Sequence, residues 1–393
     1  MTTAATSETT STSRTTTWVL RILSLAFFSQ MLLSANLWFP TDRSYPTIPL
    51  LYFLDFNLGT IITSLFSGGF LASFACASFS LKWKKQALGI GLFFLLVLTL
   101  EDINRFQAWV YIYTALLGII TWHLWLKQPS KSLISLQFIL AMVYFWTGVQ
   151  KLNIQFITDV YPWLVSVFEV TKSLEQYPSL GYGVGLFEIL IGVLLLQPKA
   201  QKTGVLLGTF LHLGILSLLI KDNWNTVVYP WNVAMIALLF ILFWKKKDTK
   251  LASTEPQKTR PNLFILALFG ILPFFDLFQF IPHCLALGMY SGTSMECDLI
   301  LLDEGITDCI APELQGKLLY LSDTQSMLSL DDWGGANLNI PPFASDRVYR
   351  TVAKEFCACA NQYKGSVAFY YPQRWENKDR QVTLTCAELL QTE

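Results

Sequence analysis

Nine mostly apolar stretches, each close to the roughly 20 helical residues needed to cross about 30 Å of hydrocarbon, constrain this chain more than any other feature. They fall near 18–39, 59–81, 86–101, 107–126, 132–151, 180–197, 203–220, 227–244 and 262–282, the third being the shortest. The connections between them alternate in charge. Lys82/Lys84/Lys85, Lys127/Lys131, Lys199/Lys202 and the run Lys245, Lys246, Lys247, Lys250, Lys258 and Arg260 occupy every second connection. Between them lie Asp42/Arg43/Asp55, Glu101/Asp102/Arg105 and Lys221/Asp222, where a basic residue has acidic company. Nine spans with a cytoplasmic N-terminus put every lysine cluster on the cytoplasmic face, as orientation by positive charge requires. The expected fold is therefore an all-α polytopic membrane bundle followed by a small α+β domain on the extracytoplasmic side.

Composition agrees with lipid as a partner. Only 14% of residues are charged and 53% are hydrophobic, against about 25% charged in an ordinary soluble domain. Formal net charge is zero, so no basic surface argues for nucleic acid. Residues 1–17, rich in Thr and Ser, read as a disordered cytoplasmic tail, with 18–282 as the bundle. A cleaved signal peptide is the rival reading of the start, opposed by the length of the first apolar run. The stretch 154–170, broken by Asp159, Pro162 and Glu169, reads as an interfacial or re-entrant helix, and 245–261 as a cytoplasmic linker.

The remainder, 283–393, has ordinary polarity, a helical pattern near 346–362, and strand patterns at Ser366–Tyr371 and 381–386. Six of seven cysteines lie here: Cys284, Cys297, Cys309, Cys357, Cys359 and Cys386. An even number on an exported side points to disulfides. Free thiols, or a metal on Cys357-Ala358-Cys359, are the other readings, and spacing leaves the pairing open.

Ionisable groups inside apolar helices cost several kcal/mol, on the order of 3 at mid-bilayer, and point to function or pairing. Lys151 ends an apolar segment in Gly148-Val149-Gln150-Lys151-Leu152. Desolvation there would make its amine a base, whereas snorkelling to the interface is the structural alternative. Glu188 and His212 each interrupt an apolar helix and are candidate partners for one another. The hairpin Glu101–Tyr111, with Asp102, Arg105 and Gln107, is expected either to fold over the bundle mouth toward Lys151 or to form a solvated turn. Asn232 follows a proline-started helix at Tyr229-Pro230-Trp231 and is a candidate polar lining residue.

These segments carry a resemblance. The run Tyr144–Leu152 is similar to the core motif of the vitamin K-dependent gamma-carboxylase and its HTTM (horizontally transferred transmembrane) relatives, an aromatic-x-x-(Ala/Thr)-Gly-Val-x-Lys-Leu run followed by an aromatic residue, here Phe156. The hairpin ending in Tyr111 and Tyr113, and His212 followed by Tyr229-Pro230-Trp231, resemble further family segments in the same order, over about 90–245. The resemblance implies that Lys151 is the active-site base. Under that reading Asp102, Arg105 and Gln107 shape the mouth of the site, His212 is a further catalytic candidate, and Glu188, Gln150, Asn232 and Tyr111 are candidate contacts to a lipid-soluble quinol. Where the carboxylase hairpin carries a histidine, this chain has Gln107-Ala108-Trp109, which argues against peptide carboxylation. The run 181–195 is also similar to DoxX-like membrane proteins, which implies a subunit of a thiol or sulfur oxidoreductase with redox-active cysteines. A non-enzymatic scaffold, transport or assembly component is the remaining reading. A cavity lined by Lys151, Glu188, His212 and Asn232 favours the enzyme over the scaffold.

Overall fold

A computed structural model describes residues 2–40, 43–53, 56–80, 82–244, 262–302, 309–322, 325–360, 365–376 and 380–391. The lysine-rich linker at 245–261, and with it the last basic cluster, lies outside the described residues, as do Asp42 and Asp55. Eight long helices build the bundle: α1 (Thr2–Leu33), α2 (Gly59–Phe79), α3 (Lys84–Glu101), α4 (Ala108–Trp125), α5 (Pro129–Gln150), α6 (Gly181–Leu196), α7 (Gln201–Asp222) and α8 (Tyr229–Leu239). A π-helical turn, Phe240–Trp244, prolongs α8.

Seven of these are long and apolar enough to cross a membrane among the described residues: Arg14–Leu33, Gly59–Phe79, Ala108–Trp125, Ser132–Gln150, Pro178–Leu196, Gln201–Asp222 and Thr226–Trp244. Their outer faces are bare hydrocarbon. Ile61 is 78% exposed and Phe210 70%, as suits helices solvated by lipid rather than water. The two remaining expected spans differ from the seven for identifiable reasons. Helix α3 has the length but carries Lys84, Lys85 and Glu101 at its ends. The stretch Leu263–Phe278 is short and irregular. It passes from a π turn (Leu266–Ile271) to a 3-10 turn (Leu272–Phe278) where Pro273 supplies no amide hydrogen.

Helix α1 spans Thr2–Leu33, and the part of it long and apolar enough to cross a membrane is Arg14–Leu33. Once the apolar turns nucleate a helix, extending it through Thr and Ser costs only tenths of a kcal/mol per residue, about 0.7 at most. Residues 156–176 form short turns, none long enough to span, in keeping with the broken pattern at 154–170.

The two ends of the bundle differ in character. At one, Lys84 Nζ donates to Thr17 Oγ1 at 2.9 Å, Lys85 lies over the Trp125 ring, and Lys202 over that of Trp244. At the other, the C-terminal residues cap the helix ends. Asn36 Nδ2 donates to the Asn337 carbonyl, the Phe343 amide to Asn104 Oδ1, and Asn339 Nδ2 to Thr226 Oγ1. Helices α1, α3, α4 and α8 each run from a lysine-bearing end to a capped end or back.

The capping unit is a five-stranded antiparallel sheet of order β2-β3-β1-β4-β5, with β1 Glu296–Leu301, β2 Leu319–Ser322, β3 Gln325–Ser329, β4 Ser366–Tyr371 and β5 Arg380–Thr385. Alternation along β1 buries Cys297, Leu299 and Leu301. Helices α9 (Leu330–Leu338), α10 (Asp346–Ala360) and α11 (Cys386–Gln391) complete it. In α10 the residues Val348, Tyr349, Val352, Ala353, Phe356, Cys357 and Ala360 are buried, one continuous helical face. Disulfides Cys309–Cys359 and Cys357–Cys386 tie α10 to the chain on either side of it. Cys284 and Cys297, expected as possible disulfide partners, are free thiols. Both are shielded by packing rather than bonded: Cys297 is buried in β1, and burial pushes the Cys284 thiol up to about 12.

Candidate functional site

Glycine spacing places the charged pair. Gly185 and Gly192 flank Glu188 by three residues before and four after, which puts all three on one face of α6. That face meets Gly148 of α5. A Cβ at Gly148 would lie 2.4 Å from the Gly185 carbonyl oxygen, and one at Gly192 2.7 Å from the Ala141 carbonyl oxygen. The two backbones touch because no side chain keeps them apart. Lys151, three residues beyond Gly148, then reaches Glu188: Nζ stands 3.0 Å from Oε2. It also donates to the Met289 carbonyl at 3.0 Å and the Thr147 carbonyl at 3.4 Å. The last of these sets a cation against the C-terminal end of α5, where the helix dipole favours it. Lys151 is 5% exposed and Glu188 4%. The lysine is sheltered and paired, so it does not snorkel.

A second polar chain faces the pair. Tyr144 Oη lies 2.6 Å from His212 Nε2, and His212 Nδ1 2.7 Å from Asn232 Oδ1. Asn232 Nδ2 donates to the Val228 carbonyl at 2.8 Å, which fixes the amide with its oxygen toward the imidazole. His212 Nδ1 therefore carries the hydrogen, and Nε2 accepts from the Tyr144 hydroxyl. The expected Glu188–His212 pairing is replaced by Glu188–Lys151 and His212–Asn232.

Both chains line one cavity of about 450 Å³ between the bundle and the C-terminal unit. Lys151, Glu188, His212, Asn232 and Gln107 are in its wall, with Tyr144, Thr147, Trp163, Leu211, Ile215, Trp231 and Met235. The 283–296 segment and residues 340–344 close its far side together with Asp331 and Tyr349. Tyr349 Oη donates to Asp331 Oδ1 at 3.1 Å, and burial pushes the Asp331 carboxyl up to about 6. The wall is predominantly aromatic and aliphatic with a few convergent polar groups, the composition typical of small-molecule sites.

Other expected site residues lie outside that wall. Asp102 does not approach Lys151. Its carboxylate accepts from Arg43 Nη2 at 2.8 Å and from the Asn104 amide at 3.1 Å. Arg105 is fully buried, held by Glu101 Oε2 at 2.7 Å and the Leu37 and Leu98 carbonyls at 2.9 and 2.7 Å. The hairpin is thus a structural hub joining α3 to the 37–43 segment that follows α1 and, through Thr63 Oγ1 donating to Glu101 Oε1 at 2.6 Å, to α2, because a buried guanidinium is held only where carboxylate and carbonyl oxygens surround it. Gln107 alone of that group reaches the cavity, donating to the Pro341 carbonyl at 3.1 Å. Tyr111 stacks on Phe269 with ring centres 5.2 Å apart. Gln150 donates to the Pro273 and Ala286 carbonyls at 3.0 and 3.4 Å. Both support the wall from behind.

Tyr144 was missed as a site residue, although it precedes Thr147 and Lys151 by three and seven positions, the spacing of one helix face. Asp331, Tyr349 and the 283–296 segment had no comparable signal, because only the folding of the C-terminal unit onto the bundle brings them in. Cys357 and Cys359 are bonded to Cys386 and Cys309, not to each other. No cluster of three or more His, Cys, Asp or Glu suited to a metal occurs among the described residues.

No family model, curated protein or solved structure matches this chain.

Proposed function

We propose that the chain is a nine-span integral membrane enzyme of the HTTM and gamma-carboxylase-like kind, acting on a lipid-soluble quinol held in the cavity. The observation that carries this reading is the buried Lys151–Glu188 pair opening, beside the Tyr144–His212–Asn232 chain, onto an otherwise apolar chamber. The donor set fits a ring bearing two hydroxyls. Glu188 offers a carboxylate to one, and Tyr144 Oη a lone pair to the other, while the apolar wall receives ring and tail. When bound, a quinol supplies two electrons and two protons to an acceptor such as dioxygen.

In this reading Glu188 is the proton acceptor. Lys151, already charged in the pair, stabilises negative charge developing on an oxygen beside it. The imidazole of His212 takes the second proton through the Tyr144 hydroxyl, and Asn232 holds the ring in the receptive tautomer. The C-terminal unit is extracytoplasmic, a reading supported by its two disulfides and by its position opposite the lysine-bearing end.

Oxidation of a reduced quinone by protein reconstituted in vesicles tests the enzyme. Lys151→Ala is expected to lower turnover at least about 100-fold, the scale of losing one preorganised electrostatic group. Unchanged turnover in that variant overturns the assignment.

A further inference from the structure

The run Asp222-Asn223-Trp224-Asn225 sets a tryptophan between two asparagines, a residue type that tolerates left-handed backbone better than most. Both asparagines adopt it, Asn223 at φ +50° and Asn225 at φ +47°. The first closes α7: its amide donates to the Ile220 carbonyl at 3.3 Å, and that of Trp224 to the Leu219 carbonyl at 3.1 Å. The double turn leaves the Trp224 side chain in the wall of the chamber, 42% exposed.

Two further rings meet it there. Trp163, from the short helix Tyr161–Ser166, has its ring centre 5.1 Å away with the planes at 72°. Tyr290, from the 283–296 segment, has its ring centre 5.6 Å away at 56°. All three line the cavity. Their polar atoms are engaged with neighbours: Trp163 Nε1 donates to Asp222 Oδ2 at 3.0 Å, and Asn225 Nδ2 donates to Tyr290 Oη at 3.0 Å. What they offer the chamber is therefore ring surface, set in three planes. Tyr290 holds its place at φ +55°, a costly conformation for a bulky residue and one that clusters at working sites.

Charge in the same wall selects what those rings would hold. Among the described residues, Glu188, Glu296 and Asp331 line the cavity against a single lysine, Lys151, which Glu188 already pairs. Such a wall draws in a cation and opposes an anion. Aromatic faces carry negative potential, and the Asp222 carboxylate on the indole hydrogen deepens it for Trp163. An ammonium bearing hydrogens would lose its water without gaining acceptors from ring carbon. A fully methylated one has no hydrogen to satisfy, and its charge is spread over methyl groups that pack on rings.

We propose that Trp163, Trp224 and Tyr290 form a binding site for a quaternary trimethylammonium group, the group carried by choline lipids and by free choline. The apolar helix Gln201–Asp222 ends beside these rings, which suits the depth of a lipid headgroup. None of the three rings belongs to the groups assigned to the quinol, so the site goes beyond that reading.

The test is isothermal titration of the full chain, purified in a maltoside detergent, with choline and with monomeric dihexanoyl phosphatidylcholine. Two controls match them: the uncharged tert-butyl isostere of choline, and dihexanoyl phosphatidylethanolamine, which keeps the charge without the methyl groups. Each control is expected to bind at least about tenfold more weakly than its counterpart. Binding of phosphatidylcholine without binding of choline assigns the site to lipid; equal binding of both admits the free cation. Trp224→Leu with an unchanged melting transition should weaken binding at least about tenfold, whereas Tyr290→Phe, which keeps the ring, should stay within about twofold. The comparison of probes on the wild type stands even where a variant fails to fold. An isostere that binds as tightly as choline, unchanged affinity in folded Trp224→Leu, or binding of neither trimethylammonium probe overturns the proposal. No readout involves a quinol, so this proposal and the quinol reading stand or fall separately.

Discussion

Lys151 and Glu188 are together almost fully sealed from solvent, and their 3.0 Å separation means that each charge is balanced chiefly by the other. Taking both out of water costs more than a lone pair returns, so the extra bonds to the Met289 and Thr147 carbonyls are part of what offsets that cost. Removing one partner strands the other. Lys151→Met is expected to lower unfolding free energy by about 3–5 kcal/mol, and Glu188→Leu by a similar amount. The double variant should recover most of that loss, because two apolar side chains of matching size leave no unpaired charge. Denaturant titration of the four proteins in detergent measures it; strictly additive losses contradict a coupled pair. The lysine's importance was legible in the sequence, as a cation at the end of an apolar run. Its partner was not. Glu188 lies 37 residues away, and nothing in local spacing distinguishes His212 from Lys151 as the group it meets.

Helices α5 and α6 bring that pair together through bare glycine surfaces. Gly148 faces the Gly185 carbonyl and the Ile189 amide, both backbone groups that cannot rotate away. Gly148→Ala therefore forces the helices apart, with an expected destabilisation of about 1–3 kcal/mol and loss of the Lys151–Glu188 contact. Gly118, with nothing near a Cβ, should accept alanine without loss. Thermal unfolding of both variants checks the contrast, and equal behaviour would remove the close approach as the device. Elements of this kind were largely readable. The strand at Ser366–Tyr371 falls where alternation put it, and α10 covers most of the helical pattern near 346–362. What periodicity did not reveal was the irregular course of Leu263–Phe278 around Pro273. Proline changes hydrogen bonding without changing hydropathy.

On the scale of the whole molecule, a chamber forms where a helical bundle meets a disulfide-bonded cap, and neither half encloses it alone. Its bundle-side residues were foreseeable because membrane helices tolerate few polar groups, so each stands out. Its cap-side residues were not, since Asp331 and Tyr349 look like any polar surface until the sheet is folded over them. The compartment of the cap has a direct consequence. Alkylation of the denatured, unreduced protein should modify Cys76, Cys284 and Cys297 only, with Cys309, Cys357, Cys359 and Cys386 added after reduction. Modification of every thiol without reduction would place the cap in a reducing compartment and reverse the proposed orientation. The central claim, that this chamber holds a lipid-soluble quinol, is tested most directly by mass spectrometry of lipids bound to the purified chain. A quinone is expected with the wild type, near one per protein, and reduced at least about tenfold in a Lys151→Ala, His212→Ala double variant, a loss of at least about 1.4 kcal/mol of binding. A wild-type protein carrying phospholipid alone, or a quinone retained equally by the double variant, contradicts it.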